Sequence, residues 1–178
     1  IAATLAGDQA AYAALVRRYE QRVANQMWRF TRDRGTLEEL VQEVFVQAYF
    51  SLNGYKGRAP FLHWLRRIAT RTGYRYWQGR ARERRRIDAI AEQQAELPQS
   101  TGDAAPGEAA EFLHALLERL PPKERLVLTL FYFEGCDTRE IAERVGWTRT
   151  LVKVRAHRAR KKLRAMLEEA GHGRSDHE

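Results

Sequence analysis

Apolar residues recur along this chain at the three- and four-residue spacings of helices, and no segment alternates between apolar and polar like a half-buried strand. This spacing predicts helices over residues 9 to about 32, 36–52, 61 to about 86, 108–120 and 123–133, followed by two more within 137–163. We therefore predict an all-α chain made of two small helical bundles.

Several predicted helix ends carry residues that suit those positions. Asp8 can cap the first helix, and Thr36 with Glu39 three residues later has the spacing of a capping box. Glycine and proline within 54–60 end the second helix, and Pro121-Pro122 separates the two helices that follow residue 107.

Residues 137–163 have the pattern of two helices joined by a tight turn. The two apolar stripes are Ile141, Ala142 and Val145, then Val152, Ala156, Ala159 and Leu163. Asp137 or Thr138 can cap the first helix and Thr148 the second, while Gly146 suits a left-handed turn. This layout predicts a helix-turn-helix, whose second helix lies in the DNA major groove.

The second helix of this motif is strongly basic. With its stripe turned toward the core, Thr150, Val154 and Lys161 point away, Lys153, His157 and Arg158 flank them, and Arg149 and Arg155 lie nearer the edges. A solvated basic face is the alternative interpretation. The spacing of Ala142, Gly146 and Val152 ahead of these cations favours DNA binding.

Charge divides the chain into segments. The 178 residues carry 31 Lys and Arg against 23 Asp and Glu, a net charge of +8 that favours a polyanionic partner. Residues 91–111 contain no cation and five anions, with alanine, proline and glycine, which predicts a flexible linker. We predict an N-terminal domain over 1–87, an acidic linker over 88–110, a C-terminal domain over 111–170 and a disordered tail over 171–178. The linker is either a spacer, which the sequence favours, or a segment that occupies a basic channel of a partner.

The composition argues against several other classes of protein. Cys136 is the one cysteine, and the five histidines have no metal-ligand spacing, so we expect no disulfide framework, metal site or cofactor. Carboxylates are scarce over residues 51–90, so an enzyme that acts on nucleic acid lacks support. No apolar run approaches the length of a membrane span, and no signal peptide is visible; we expect no membrane insertion and a cytoplasmic location.

The predicted helix 36–52 has an unusually wide apolar side. Its core stripe is Leu37, Leu40, Val44 and Ala48, which Val41, Phe45 and Tyr49 extend by about a quarter turn. Glu38, Glu39, Gln42 and Glu43 form an acidic margin. Either the extension belongs to the core, or it is a docking strip for a basic partner helix.

Aromatic residues alternate with cations over residues 55–86. Cations contact phosphates and aromatic rings stack on unpaired bases, so this mixture suits single-stranded nucleic acid. Phe61, Trp64, Leu65 and Ile68 have helical core spacing and are interpreted as core. Tyr55, Tyr74, Tyr76 and Trp77 are less easily all buried.

Four segments in order resemble one known family. They are LEELVQEVFVQAY (37–49), YKGRAPFLHWLRRIA (55–69), LPPKERLVLTLFYFEG (120–135) and the helix-turn-helix. In sequence, spacing and size they are similar to bacterial sigma factors of the extracytoplasmic-function group, from about Ala10 to Leu167.

The resemblance implies a role for each surface. Docking on the clamp helices of the largest RNA polymerase subunit would fall to Leu40, Val41, Gln42, Glu43 and Phe45. Reading of a melted −10 strand would fall to the loop 53–59 and the helix after it, at Asn53, Tyr55, Lys56, Arg58, Arg67, Arg71 and Arg75. Reading of the −35 duplex would fall to Arg149, Thr150, Lys153, Val154, Arg155, His157 and Arg158. The resemblance also implies an anti-sigma factor as a partner.

The chain departs from the family pattern at two of these positions. Arg71 stands where many members have Asn, and arginine favours phosphate or stacking contacts over the paired hydrogen bonds of an amide. Val154 stands where serine is common, and its side chain suits contact with a thymine methyl group.

A helix-turn-helix regulator that binds duplex DNA without polymerase is the alternative function, but such a protein needs a dimer interface or sensor domain, and neither is evident.

Overall fold

The computed structural model describes the backbone of residues 1–91 and 106–175, and the side chains of residues 1–87 and 112–169. All regular elements in these ranges are helical, which confirms the predicted all-α fold. The chain divides into two compact units, Ile1–Gln78 and Gly79–Glu178. The first unit therefore ends within a helix, before the predicted boundary at residue 87.

The first unit contains α1 (Ala2–Leu5), α2 (Gln9–Met27), α3 (Arg34–Ser51), a 3₁₀ turn (Leu52–Gly54) and the first part of α4 (Phe61–Ala91). Asp8 caps α2 as predicted, with its carboxylate accepting from the backbone N–H of Ala11 at 3.0 Å. The described helix α4 extends beyond the predicted end near residue 86, and α1 was not predicted.

The predicted cap of α3 is wrong by one helical turn. Asp33 is the N-cap, and its carboxylate accepts from the hydroxyl of Thr36 at 2.7 Å and from the backbone N–H of Thr36 at 2.8 Å. These hydrogen bonds favour the ionised form and lower the pKa of Asp33. Thr36 is therefore already inside the helix.

Helix α2 ends at Met27, earlier than predicted, because the chain turns to bury Phe30. The Phe30 ring lies 4.5 Å from that of Trp77 on α4, and the Trp77 indole donates to the Phe30 carbonyl at 2.8 Å. A Cβ at Gly73 would lie 2.4 Å from the Phe30 ring, so only glycine allows this approach.

The second unit contains the last part of α4, then α5 (Pro106–Glu118), α6 (Pro122–Leu128), a π-helical turn (Thr129–Phe133), α7 (Thr138–Val145) and α8 (Arg149–Ser175). Leu117, Leu120, Leu128 and Ala159 form a buried cluster, on which Leu163 and Met166 pack. Helix α8 continues through Ser175, where a disordered tail was predicted from residue 171. Most of the predicted linker 88–110 lies at residues 92–105, outside the described residues.

Candidate nucleic-acid interface

The helix-turn-helix forms as the sequence predicts. Asp137 accepts from the Glu140 backbone N–H at 2.7 Å, and the Glu140 carboxylate accepts from the Asp137 backbone N–H at 2.8 Å, which completes a capping box. Gly146 ends α7 in the left-handed conformation, with φ 76°. The Thr148 hydroxyl then accepts from the Leu151 backbone N–H at 3.1 Å and caps α8. These local hydrogen bonds determine the residue at which α8 starts.

Six of the seven residues predicted to contact −35 DNA are exposed on the first half of α8. Val152, Ala156 and Ala159 of the predicted apolar stripe are buried. The exposed positions are Arg149, Thr150, Lys153, Val154, His157 and Arg158. Val154 is 40% exposed, which makes it an apolar side chain within a polar surface. The arrangement offers cations, a hydroxyl, an imidazole and one aliphatic group to a groove.

Arg155 is the exception among the predicted −35 residues. Its Nη1 donates to Glu124 Oε1 on α6 at 2.8 Å, and the two side chains are 23% and 3% exposed. The buried carboxylate of Glu124 needs this cation, because an ionised carboxylate removed from water is stable only when it is paired. Arg155 thus holds α8 against α6, and its prediction as a −35 DNA contact is corrected to a structural role.

A second ion pair joins α7 to the segment before it. Arg144 donates to Glu134 at 3.2 Å, and both side chains are largely buried. Neither Glu124 nor Glu134 was predicted to have a role. The signal that could have found them is an acidic residue inside an apolar run, as at Glu124 beside Leu126, Val127 and Leu128.

The loop predicted to read the −10 strand is closed by its tyrosine. The Tyr55 hydroxyl donates to the Ala59 carbonyl at 2.7 Å. The Tyr55 ring lies 5.6 Å from that of Phe61 and 5.4 Å from that of Trp64. Asn53, Lys56 and Arg58 are exposed around it. The loop therefore presents polar and cationic side chains next to a cluster of three packed aromatic side chains, Tyr55, Phe61 and Trp64.

Helix α4 continues this surface with one row of cations. Arg67, Arg71 and Arg75 recur every four residues and are all exposed. Arg75 donates to Glu43 on α3 at 3.1 Å. A predicted −10 residue and a predicted docking residue are thus in direct contact.

The predicted docking strip on α3 divides between core and surface. Leu40, Val41 and Phe45 are buried, so the structure places them in the packing that orients α3 and not on an exposed strip. The Tyr12 hydroxyl donates to the Phe45 carbonyl, and burial raises the pKa of Tyr12 to about 12. Of the two interpretations of this widening, core or docking strip, the burial of Val41 and Phe45 supports the core.

Other residues of α3 form the exposed strip. Gln42 and Glu43 are exposed, together with Val46, Tyr49 and Phe50. Gln42, Val46 and Phe50 follow one another at four-residue spacing, and Phe50 is 76% exposed. Val46 and Phe50 were not predicted to belong to this strip, although their four-residue spacing outside the core stripe could have identified them from the sequence.

The described parts of the chain offer neither a cluster of metal ligands nor a membrane span. No three or more His, Cys, Asp or Glu side chains there are grouped so that they could hold a metal ion. Along the same ranges, no helix combines the length and apolar character needed to cross a bilayer.

Both units match family models. Residues 15–83 match the model of sigma-70 region 2, and residues 112–163 match that of sigma-70, region 4. The chain is 31% identical over 166 residues to the ECF RNA polymerase sigma-E factor of Escherichia coli K12, covering 88% of this chain and 86% of that protein. It is 30% identical over 177 residues to the RNA polymerase sigma-H factor of Pseudomonas aeruginosa, covering 92% of each.

Two solved structures share the fold. The sigma factor RpoE of Bartonella quintana, solved with the anti-sigma factor NepR, superposes with a TM-score of 0.59 at 17% identity, covering 89% of this chain and 97% of that one. CnrH, solved with the cytosolic domain of CnrY, superposes with a TM-score of 0.57 at 24% identity, covering 92% of each chain.

Proposed function

This chain belongs to the extracytoplasmic-function group of sigma-70 factors, and from that membership we propose how its surfaces divide promoter recognition. It binds core RNA polymerase and directs promoter-specific initiation by reading the −10 and −35 elements. The assignment of residues to these tasks is our proposal. It depends above all on one observation, the exposed face of α8 in a formed helix-turn-helix.

The first half of α8 reads the −35 duplex in the major groove. Recognition helices of this motif use their N-terminal residues for base edges, which here are Arg149, Thr150 and Lys153. Val154, His157 and Arg158 follow on the same exposed side. The cations supply affinity through phosphates and guanine edges, and Val154 supplies an apolar contact to a thymine methyl group.

The loop 53–59 and the cation row of α4 hold the melted −10 strand. Asn53, Lys56 and Arg58 surround the closed loop, while Arg67, Arg71 and Arg75 provide a line of positive charge. Arginine contacts phosphates and stacks on bases, which suits an unpaired strand. The hydrogen bond from Tyr55 to the Ala59 carbonyl closes the loop, and the Tyr55 ring packs against Phe61 and Trp64.

Helix α3 docks on the clamp helices of the largest polymerase subunit. Gln42 and Glu43 offer hydrogen bonds and negative charge, and Val46 and Phe50 offer exposed apolar area beside them. Leu40, Val41 and Phe45 pack in the core and so fix the orientation of this strip. An amphipathic helix pairing of this kind is a common recognition mode.

The sigma factor RpoE of Bartonella quintana was solved with an anti-sigma factor, which supports an anti-sigma partner for this chain. CnrH was likewise solved with the cytosolic domain of a second protein. The protein acts without catalysis of its own. Its location is the cytoplasm, where the polymerase and the chromosome are.

Reconstitution with core polymerase tests the function. We expect the full chain to bind core and to select promoter DNA from a random library for run-off transcription. Phe50→Ala should weaken core binding, and Trp28→Ala, another exposed aromatic of the first unit, is the matched control. DNA selection by the chain alone, without core binding, would favour the polymerase-independent regulator.

A further inference from the structure

An arginine on the second half of α8 is held by two aromatic residues that the proposed function does not use. Arg160 donates from Nε to the Tyr132 hydroxyl at 3.2 Å. Its guanidinium carbon lies 5.8 Å from the centre of the Phe131 ring. Both aromatics belong to the π-helical turn Thr129–Phe133, and Tyr132 is 65% exposed. The group therefore lies on the surface of the unit, open to a partner.

Both aromatic residues lie in a π-helical turn. π-Helical turns are rare in proteins, and those that occur are often found at functional sites. Here the turn places two consecutive aromatic residues against the same guanidinium. The hydrogen bond to Tyr132 uses Nε, so the two terminal nitrogens remain donors for an acceptor from outside the chain.

Arg160 lies on the same side of α8 as the proposed −35 residues. It follows Lys153 by seven residues, which is close to two full helical turns and about 10 Å along the axis. The major groove is about 12 Å wide. A helix whose first half contacts bases therefore carries Arg160 toward the sugar-phosphate backbone at the edge of the groove.

A surface arginine held in one orientation gains little for folding. Exposed polar contacts contribute modestly, and a long side chain loses rotamer freedom when it is fixed. The same fixing is useful for binding, because the ordering cost is already met before the partner arrives. Guanidinium groups are well matched to phosphate oxygens.

We propose that Arg160, positioned by Tyr132 and Phe131, is a phosphate-binding site for the backbone of the duplex that α8 reads. The proposal rests on the proposed −35 role of α8. Its contact adds affinity for duplex DNA of any sequence and carries no base preference. An acidic protein surface is the alternative partner for the same cation.

The test compares Arg160→Ala with Lys162→Ala in the full chain bound to core polymerase. Lys162 is also exposed on α8, one turn beyond Arg158 and about 200° around the helix from Arg160, so it removes one charge of the same helix that Tyr132 and Phe131 do not hold. Two duplex probes are used, one selected by the wild-type holoenzyme and one of arbitrary sequence. Affinity is measured by fluorescence anisotropy over a range of salt concentrations.

We expect Arg160→Ala to reduce the salt slope by about 0.9, the value for one phosphate contact, and to weaken both probes by the same factor, about ten-fold. Lys162→Ala should change the slope less. Tyr132→Phe, which keeps the ring and removes the hydroxyl, should lose part of the same affinity with an unchanged melting temperature.

Other results would overturn the proposal in recognisable ways. Equal slopes for the Arg160 and Lys162 variants would mean general electrostatics. A lower melting temperature with an unchanged salt slope would mean a structural role. Loss of core affinity with normal DNA binding would mean an acidic protein partner. If the wild type selects no duplex at all, the proposed function fails, while the arbitrary probe still tests Arg160.

Discussion

Arg75 and Arg155 both lie in segments that the sequence predicts to contact DNA, and each is paired with a glutamate in the structure, but the two pairs differ in burial. The side chains of Arg75 and Glu43 are 55% and 46% exposed. Those of Arg155 and Glu124 are 23% and 3% exposed. Their N–O distances, 3.1 and 2.8 Å, are similar. Distance alone therefore does not distinguish a DNA contact from a framework residue.

Burial decides between the two roles. An exposed ion pair contributes about 0–1 kcal/mol, so Arg75 can exchange Glu43 for a phosphate at little cost. A buried carboxylate that loses its cation leaves an unpaired negative charge in an apolar environment, which strongly destabilises the fold. Arg155 is therefore committed to the interior of the second unit, whereas Arg75 remains available at the surface of the first.

The largest expected effect comes from breaking the buried pair. Arg155→Ala leaves the buried carboxylate of Glu124 without its cation and should destabilise the second unit by about 3–5 kcal/mol. Arg75→Ala is the matched change at the exposed pair and should cost less than about 1 kcal/mol. Amide hydrogen exchange in α6, α8 and α3 measures each effect in its own unit. Equal losses of protection would contradict the distinction drawn from burial.

The next largest effect is on DNA binding and comes from exposed cations of α8 that are not paired with a buried carboxylate. Lys153→Ala should weaken binding of the −35 duplex by the holoenzyme by about 1–3 kcal/mol and relax base choice if it contacts a base. Loss of a phosphate contact would instead weaken all sequences alike. Arg158→Ala should behave in the same manner. Unfolding of either variant at the wild-type urea concentration separates a binding defect from a folding defect.

The helical framework could be predicted because it depends on local signals. The four-residue spacing of Val152 and Ala156 and the caps at Asp8, Asp137 and Thr148 all act within a few residues along the chain. The cap of α3 was misplaced because Asp33 and Thr36 are both good capping residues, and the carboxylate of Asp33 binds Thr36 itself.

Features that depend on distant partners could not be predicted from such signals. The pair of Arg155 and Glu124 joins residues 31 positions apart, and periodicity placed Arg155 only near the edge of the stripe. Helix α2 ends early because Phe30 packs on Trp77, 47 positions away. The width of the apolar side of α3 was visible in the sequence, but which neighbours cover Leu40 and Phe45 depends on tertiary packing.

A smaller and more selective effect is expected at Val154, which is exposed and uncharged. Val154→Ser replaces two methyl groups by a hydroxyl and should shift base preference at one position of the −35 element. The salt slope should not change, because no charge is added or removed. Selection of duplexes by the wild-type and variant holoenzymes measures the shift. An unchanged promoter preference with unchanged affinity would exclude an apolar contact at this residue.

The smallest expected effect is the coupling between Glu43 and Arg75 themselves. A double-mutant cycle with Glu43→Gln and Arg75→Gln should give an interaction of about 0.2–1 kcal/mol in the free protein, as exposed pairs do. High salt should reduce this interaction, because solvent-exposed charges are screened. Urea unfolding of the four proteins at low and high salt provides the measurement. A coupling as large as that of a buried pair would show that Arg75 is as fixed as Arg155, and its assignment to the −10 strand would then have to be withdrawn.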